Sequence, residues 1–308
     1  MNDYSVASTL SLYRLPFFEL LYKAHSVHRE YKEGMEIEEC ILLSVKTGGC
    51  PEDCGYCSQS AHHKAGLQCE PLLSVAEVRR AAKKAQQAGA SRFCMGAAWR
   101  KAPDGEPFER VLEMIREVKS LGLEACVTLG MLRADQAARL KEAGLDVYNH
   151  NLDTSRAHYA SVVTTHSYDD RLLTIQVVRE AGIAVCCGGI LGIGESDEDR
   201  CALLSQLAQM KPQPESVPIN LLVPIPGTPL TGARPVETTD LIRTIAVARI
   251  LMPRTRVRLS AGRMSLNKEA QLLATFAGAN SIFIGEKLLT TPNVAPTLDR
   301  TMLTEIRA

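Results

Sequence analysis

The chain alternates short apolar segments with longer amphipathic ones, and this alternation limits its possible folds more than any other feature. The short segments are typical of buried strands and comprise Cys40–Val45, Arg92–Gly96, Glu124–Leu129, Asp146–Asn151, Ala184–Ile190, Ser216–Leu222, Arg256–Ser260 and Ser281–Ile284. The longer segments have helical spacing and comprise Ser74–Ala88, Pro107–Leu121, Ala134–Ala143, Tyr168–Ala181, Asp197–Met210, Thr238–Leu251 and Ser265–Ala277. Strands that alternate with helices predict a parallel sheet.

The number of strand–helix units predicts an α/β fold of the TIM type, a (β/α)8 barrel, with a partial or open barrel as the alternative. Glycines that follow the predicted helices are typical of helix C-termini: Gly89, Gly122, Gly144, Gly182 and Gly278. One barrel of about 250 residues accounts for most of the 308 residues. We therefore predict a barrel at residues 37–292, an N-terminal helical extension at 1–36 that includes Pro16–His25, and a C-terminal tail at 293–308.

Three cysteines lie close together directly after the first predicted strand. Cys50, Cys54 and Cys57 form a C-x3-C-x2-C triplet in a polar loop that contains glycine. Iron–sulfur clusters are normally held by four cysteines. Three thiolates would therefore hold three irons of a [4Fe–4S] cube and leave the fourth iron open to a small chelating molecule. The alternative is a structural zinc site, with a fourth ligand from His62, His63 or Cys69.

The period of two along a strand assigns side chains to the barrel lumen. On the third strand the lumen-facing residues are predicted to be Glu124, Cys126 and Thr128, and on the seventh they are Arg256, Arg258 and Ser260. Composition does not orient the fifth strand, where Cys186 and Cys187 face opposite sides. Active sites of TIM barrels lie at the C-terminal ends of the strands, which is where the cysteine triplet falls.

Cysteines and an arginine inside a barrel are difficult to explain as packing alone. A buried arginine is strongly unfavourable without an anionic partner, and thiolates bound to iron would supply that charge. Taken singly, Cys94, Cys126 and Cys186 could be small buried hydrophobic residues. Together with Arg258 and the triplet, they indicate a second cluster site in the lumen.

Five segments of the chain resemble the biotin synthase family of radical S-adenosylmethionine (SAM) enzymes. They are Lys46–Cys57, Arg92–Trp99, Tyr148–Thr154, Ser216–Leu222 and Val257–Arg263, and the resemblance extends from Pro16 to Pro292. Members of this family are (β/α)8 homodimers that use SAM to insert sulfur between the C6 and C9 carbons of dethiobiotin. The sulfur comes from an auxiliary cluster in the barrel, usually [2Fe–2S].

The resemblance assigns roles to residues at the matching positions. It implies that Cys50, Cys54 and Cys57 bind the [4Fe–4S] cluster and that the [2Fe–2S] cluster is bound by Cys94, Cys126, Cys186 and Arg258. The SAM-contacting set that it implies is Tyr56, Ala97, Asn151, Asp153, Arg171 and Ile190. The substrate-contacting set is Asn149, Asn151, Asn220, Thr290 and Thr291.

The family resemblance also implies several partners. They are dethiobiotin, a one-electron donor such as a flavodoxin or a ferredoxin, and iron–sulfur assembly machinery that rebuilds the second cluster. Equal numbers of basic and acidic residues, 35 each, argue against nucleic acid or an anionic membrane as a partner. The apolar runs are too short for a transmembrane helix. Ten cysteines without a recognisable secretory signal favour the cytoplasm.

Two other functions remain open at the level of sequence. One is a different radical SAM enzyme that performs a rearrangement or a methyl transfer and has no sulfur-donating cluster. The other is a non-catalytic zinc- or cluster-binding protein with a structural or redox-sensing role.

Overall fold

Parallel strands close on themselves in the computed structural model, which describes residues 3–31 and 36–307. The strands are β1 (Glu38–Lys46), β2 (Arg92–Ala97), β3 (Glu124–Thr128), β4 (Val147–Asn149), β5 (Ala184–Cys186), β6 (Gly189–Leu191), β7 (Ser216–Leu221), β8 (Arg256–Leu259) and β9 (Ser281–Phe283). Their order around the barrel is β5-β4-β3-β2-β1-β9-β8-β7-β6. The closed barrel confirms the TIM-type prediction and removes the open-barrel alternative.

Strands β5 and β6 are two pieces of one barrel strand, so the barrel has eight strand positions. Cys186 of β5 and Gly189 of β6 both pair with β7. The prediction of one continuous strand, Ala184–Ile190, was wrong at this break. The Gly188 carbonyl accepts hydrogen bonds from the backbone of Leu152 and Asp153, both 3.1 Å long. These bonds replace the regular ladder at the break.

Helices cover the outside of the barrel and follow the predicted positions closely. In order, they are α1 (Val6–Tyr13), α2 (Phe17–Glu30), α3 (Val75–Gln87), α4 (Glu106–Ser120), α5 (Ala134–Glu142), α6 (Arg156–Tyr159), α7 (Tyr168–Glu180), α8 (Asp197–Gln209), α9 (Thr238–Leu251), α10 (Lys268–Phe276) and α11 (Pro296–Arg307). Serines cap α3, α7 and α8, as expected for residues that bond the free N–H groups of a first turn. Helix α10 begins later than predicted because Asn267 caps it by accepting from Ala270 N.

The two faces of the strands separate apolar packing from the lumen. On β3, Ala125 and Val127 belong to the large core under the helices, whereas Cys126 and Thr128 line the central cavity. On β5, Cys186 clusters with the lumen cysteines and Cys187 packs in the helix-facing core. The structure therefore supplies the orientation of β5 that composition left open.

Elements outside the barrel pack against its helices. Helix α1 contacts α8 and α9, and α2 contacts α9. Residues 1–2 and 32–35 of the predicted extension, and residue 308 of the predicted tail, lie outside the described residues. The tail contains α11, whose Asp299 forms a buried ion pair with Arg263. The division at residues 36 and 292 stays a prediction. Among the described residues, every helix is too short or too polar to cross a bilayer.

Candidate active site

A cavity of about 360 Å³ opens at the C-terminal ends of the strands. Of the candidate site residues, all except Cys186 line it. Cys186 is 1% exposed and lies behind the lining, in the same cluster as Cys94 and Cys126. The residues that the sequence places in one site are therefore brought together around one volume.

The cysteine triplet lies in the loop after β1, which is fixed by backbone hydrogen bonds. Cys57 N donates to Cys54 O at 2.9 Å, and Gly55 N donates to Val162 O at 2.9 Å. Burial raises the pKa of all three thiols, and for Cys57 to about 11. Because a coordinated thiol is deprotonated outright, these side chains become thiolates when a metal replaces the proton.

Two acidic residues inside the loop attach it to the segment before α7, and sequence reasoning did not select either of them. Asp53 accepts from the backbone N–H groups of Thr164 and Thr165, at 2.9 and 3.2 Å. A Glu52 carboxylate oxygen lies 2.7 Å from His166 Nδ1. The signal that could have identified both residues is their position between the first two cysteines of the triplet.

The histidines proposed for a zinc site have other partners. His62 Nε2 lies 3.1 Å from Pro51 O, and His63 Nε2 lies 3.0 Å from Cys54 O. Within residues 3–31 and 36–307, no three His, Cys, Asp or Glu side chains are close enough to hold one metal ion. The irons of a cube occupy separate corners, so its thiolates stand farther apart than the ligands of a single ion. A triplet made only of thiols at a cavity mouth has the donor type of an iron–sulfur cube.

Asp153 is the centre of a polar network beside the triplet. Its Oδ2 accepts from Tyr56 OH at 2.8 Å and from Arg171 Nη2 at 3.2 Å. Arg171 Nε donates to Tyr159 OH at 2.8 Å. Asp153 has φ of 65°, an uncommon backbone conformation for a residue other than glycine, and strain of this kind clusters at functional sites. The network holds a carboxylate and a guanidinium at the cavity wall.

The floor of the cavity holds cysteines around one guanidinium. Cys94 and Cys126 face each other on β2 and β3 and belong to the same buried cluster. Arg258 Nη1 lies 3.9 Å from Cys186 Sγ, and Arg258 Nη2 lies 3.2 Å from Cys40 Sγ. The donor set of soft thiols fits an iron–sulfur cluster. Sequence reasoning did not assign Cys40 to this group.

Arg258 has a carboxylate partner that the sequence argument did not anticipate. Glu38 Oε2 accepts from Arg258 Nη2 at 3.0 Å, and Glu38 Oε1 lies 3.0 Å from Arg92 Nη2. Burial alone would raise the pKa of Glu38, but the guanidinium groups of Arg258 and Arg92 outweigh it and lower that pKa to about 2. The charge of Arg258 is therefore balanced by the carboxylate of Glu38 as well as by any thiolates bound to iron.

The candidate substrate contacts differ in how much hydrogen-bonding capacity they keep. Asn149 Nδ2 donates to Thr128 Oγ1 at 3.0 Å, and Asn151 Oδ1 accepts from Gly188 N at 3.1 Å. Asn220 is bonded to backbone at both ends of its amide, at 2.9 and 3.2 Å. Asn149 and Asn151 therefore each keep one whole amide function for a ligand, whereas Asn220 is largely committed to the barrel.

The two candidate threonines lie beside the last strand. Thr290 Oγ1 lies 3.0 Å from Ser58 Oγ, in the cysteine loop. The Thr291 carbonyl accepts from Leu288 N at 2.9 Å. These contacts connect the segment after β9 to the mouth of the cavity.

Two family models match the chain over most of its length. The model described as Radical SAM superfamily matches residues 44–207, which begin in β1 and end in α8. The model described as Biotin and Thiamin Synthesis associated domain matches residues 218–306.

The chain is similar to curated proteins named biotin synthase. It is 61% identical to the one from Bordetella avium over 300 residues, which cover 97% of this chain and 93% of the relative. It is 57% identical to the one from Sorangium cellulosum over 302 residues, which cover 98% and 86%.

Solved structures of low sequence identity share the fold. A methylornithine synthase superposes with a TM-score of 0.81 at 18% identity, over 99% of this chain and 93% of that chain. A maturase of the [FeFe]-hydrogenase from Carboxydothermus hydrogenoformans gives a TM-score of 0.81 at 18% identity, over 98% and 74%. At this identity the likeness extends to the barrel alone.

Proposed function

The chain belongs to the biotin synthase family of the radical SAM superfamily, and on that premise we propose that it inserts sulfur between C6 and C9 of dethiobiotin to form biotin. The observation that carries the proposal is the presence of two cysteine sets at two depths of one cavity. The triplet Cys50–Cys57 lies at its mouth, and Cys94, Cys126 and Cys186 surround Arg258 at its floor. A substrate between them has a radical source on one side and a sulfur source on the other.

The family uses SAM and iron–sulfur clusters, and the two cysteine sets suit two of them. Cys50, Cys54 and Cys57 would hold a [4Fe–4S] cluster, and Cys94, Cys126, Cys186 and Arg258 would hold a [2Fe–2S] cluster. When bound, these groups supply a SAM-derived radical that removes hydrogen from dethiobiotin and a sulfide that bonds to the resulting carbon. The side chains bind, orient and shield the reactants.

Residues at the mouth would fix SAM. Both hydrogen bonds to Asp153 that are described above end on Oδ2, so Oδ1 can accept from the ribose hydroxyls. Arg171 presents a guanidinium to the carboxylate of SAM, the geometry that favours charge-assisted hydrogen bonds. Ala97 and Ile190 line the cavity nearby with apolar surface. The rigid network around Asp153 thereby holds SAM at a constant position.

Amides in the middle of the cavity would orient dethiobiotin. Asn149 keeps its acceptor oxygen and Asn151 keeps its donor nitrogen, which match the N–H and C=O groups of a ureido ring. Asn220 would contribute its remaining N–H, and Thr290 and Thr291 would meet the carboxylate tail. Orientation of this kind accounts for most of the catalysis that protein groups can supply when the cofactors perform the bond chemistry.

Apolar residues around the amides would keep water from the radical. Trp99, Phe283, Leu288 and Leu289 line the same cavity. Exclusion of water and of other hydrogen donors prevents side reactions of a reactive intermediate.

The proposal includes the partners that such a reaction needs. They are an external one-electron donor such as a flavodoxin or a ferredoxin, iron–sulfur assembly machinery for the consumed cluster, and a second copy in a homodimer. The described cysteines are all free thiols, which suits a reducing compartment such as the cytoplasm. We also propose that residues 37–292 act as the catalytic unit, with residues 1–36 as an N-terminal helical extension and residues 293–308 as a C-terminal tail.

The test is anaerobic incubation of the reconstituted protein with dithionite, SAM and dethiobiotin, followed by mass spectrometry of the products. Both 5′-deoxyadenosine and biotin are expected. Cys126→Ala is expected to form 5′-deoxyadenosine without biotin, and Cys54→Ala neither product. Formation of 5′-deoxyadenosine without biotin by the unmodified protein would support a different radical SAM reaction and refute sulfur insertion.

A further inference from the structure

A fourth cysteine, Cys40, lies behind the floor of the cavity, as Cys186 does, and matches no ligand position of the family motifs. It is fully buried and clusters with Cys94, Cys126 and Cys186. Cys94 and Cys126 are register partners on β2 and β3, and Cys40 lies on the adjacent strand β1. Four cysteines are the ordinary ligand set of an iron–sulfur cluster. The lumen therefore contains a complete thiol set even when Arg258 is left out.

Cys40 differs in its surroundings from the other two buried cysteines that match no ligand position, Cys187 and Cys201. Cys187 and Cys201 pack in the helix-facing apolar core. Cys40 Sγ instead lies 3.4 Å from Glu38 Oε2 and 3.8 Å from Ser281 Oγ, in addition to its contact with Arg258. Small buried thiols usually fill apolar space. A thiol placed among a carboxylate, a hydroxyl and a guanidinium is arranged for polar chemistry.

The contact between Cys40 and Arg258 places two candidate ligands next to each other. Arg258 Nη2 lies 3.2 Å from Cys40 Sγ, so a small movement of either side chain brings either donor to the same point. We propose that Cys40 is a second, interchangeable fourth ligand of the barrel cluster, which takes the coordination position of Arg258 when Arg258 leaves it. The proposal rests on the barrel cluster of the proposed function.

The exchange balances without an outside acid or base. To bind iron, Arg258 must act as a neutral guanidine, because a protonated guanidinium has no lone pair to donate. When Cys40 replaces it, an iron–sulfur bond forms and an iron–nitrogen bond breaks. The proton of the Cys40 thiol moves to Arg258, across the 3.2 Å contact between Sγ and Nη2. No electron is transferred, and the freed guanidinium pairs with Glu38.

The exchange gives the lumen floor a way to retain iron. A thiolate from Cys40 would supply an additional strong bond to a barrel cluster that had given up a sulfide. Because Cys40 and Arg258 are both bonded to Glu38, the same carboxylate holds whichever of the two is unbound.

The test uses reconstituted full-length variants and Mössbauer spectroscopy, which separates [2Fe–2S] iron from [4Fe–4S] iron. The variants are the unmodified chain, Arg258→Ala, Arg258→Ala with Cys40→Ala, and Arg258→Ala with Cys201→Ala as a matched loss of one buried thiol. Arg258→Lys with and without Cys40→Ala repeats the comparison with the charge opposite Glu38 retained. The [4Fe–4S] signal of each variant reports that the barrel has folded.

The expected result is [2Fe–2S] iron in Arg258→Ala, its loss when Cys40→Ala is added, and its retention when Cys201→Ala is added. Equal [2Fe–2S] iron with and without Cys40 in both arginine backgrounds would overturn the proposal. Loss of that iron in both single arginine variants, with the [4Fe–4S] signal intact, would also overturn it. An unmodified chain that binds no second cluster would instead refute the cluster assignment on which the proposal rests.

Discussion

Tyr56 donates a 2.8 Å hydrogen bond to Asp153 and thereby joins the cysteine loop to the segment that follows β4. Tyr56 stands next to Cys57, and Asp153 follows β4. The bond sets the position of the proposed cluster relative to the proposed SAM site, because one end moves with the loop and the other with the strand.

Tyr56→Phe is expected to weaken SAM binding. The change removes a hydrogen bond to a charged acceptor, and such bonds contribute about 1.5–3 kcal/mol. We expect the Kd for SAM to rise by about tenfold, which corresponds to about 1.4 kcal/mol. Equilibrium binding to the reconstituted protein measures it. Tyr13→Phe, which removes a buried tyrosine hydroxyl far from the cavity, is the control, and equal affinities of the two variants would contradict the role of Tyr56.

Glu38→Gln is expected to destabilise the cluster-free protein at pH 7 by about 3–5 kcal/mol, because it leaves the buried Arg258 without its carboxylate partner and Arg92 with Glu124 alone. The side chains of Glu38 and Arg258 are 9% and 2% exposed. Glu39→Gln is the control: Glu39 pairs with the exposed Arg307, and surface pairs contribute about 0–1 kcal/mol. Urea unfolding under reducing conditions measures both. A Glu38→Gln loss no larger than that of Glu39→Gln would show that the pair does not balance buried charge.

Gly188→Ala is expected to disturb the closure of the barrel. A Cβ at this position would overlap the carbonyl oxygen of Pro218 on β7, and overpacking of this kind costs about 1–3 kcal/mol or more. Gly232→Ala is the control, since a Cβ there meets open space and such surface changes stay within about 0.5 kcal/mol. The free energy of unfolding in urea distinguishes them. Similar values for the two variants would mean that the close approach to β7 is not required.

Tyr13 is expected to make stability fall at alkaline pH. Burial raises its pKa from 10.0 to about 12. Between these pH values the folded chain keeps a proton that the unfolded chain has lost, so each rise in pH favours unfolding. One pKa unit corresponds to about 1.36 kcal/mol. The stability that Tyr13 contributes below pH 10 therefore decreases by up to about 2.7 kcal/mol when the pH reaches 12.

The free energy of unfolding at pH 9 and at pH 12 measures this effect. Tyr13→Phe is expected to lose less stability over that interval than the unmodified chain. Tyr22→Phe removes a tyrosine that is 74% exposed, and it is expected to match the unmodified chain. If Tyr13→Phe lost as much stability as the unmodified chain, burial of Tyr13 between α1 and the barrel helices would not raise its pKa.

Much of the fold could be predicted from the sequence because strand and helix periods differ and because glycines mark the ends of helices. The break between β5 and β6 could not. It depends on the backbone of Gly188 bonding to Leu152 and Asp153, which are distant in sequence. Helix α11 was also missed. Its apolar side, with Met302 and Leu303 buried, is recognisable only when it packs against the barrel.

Site residues could be predicted where the strand period or a motif identifies them. They were missed where only the tilt of the barrel strands brings their side chains into the site. Alternation selected Cys126 and Arg258 from their own strands. Cys40 pairs with Phe283 on one side and Arg92 on the other, and only the stagger of neighbouring strands brings its sulfur to Arg258. Glu38 escaped notice for the same reason, because a carboxylate at the start of a strand is ordinarily solvated.

The central claim is that sulfur passes from the floor of the cavity into dethiobiotin, and isotope labelling tests it most directly. The protein is reconstituted with ³⁴S-sulfide, exchanged into unlabelled buffer, and given SAM, dethiobiotin and dithionite for a single turnover. The account predicts ³⁴S in the biotin formed, and no biotin from Cys126→Ala although its [4Fe–4S] cluster is equally labelled. Unlabelled biotin from the labelled protein, or labelled biotin from Cys126→Ala, would contradict it.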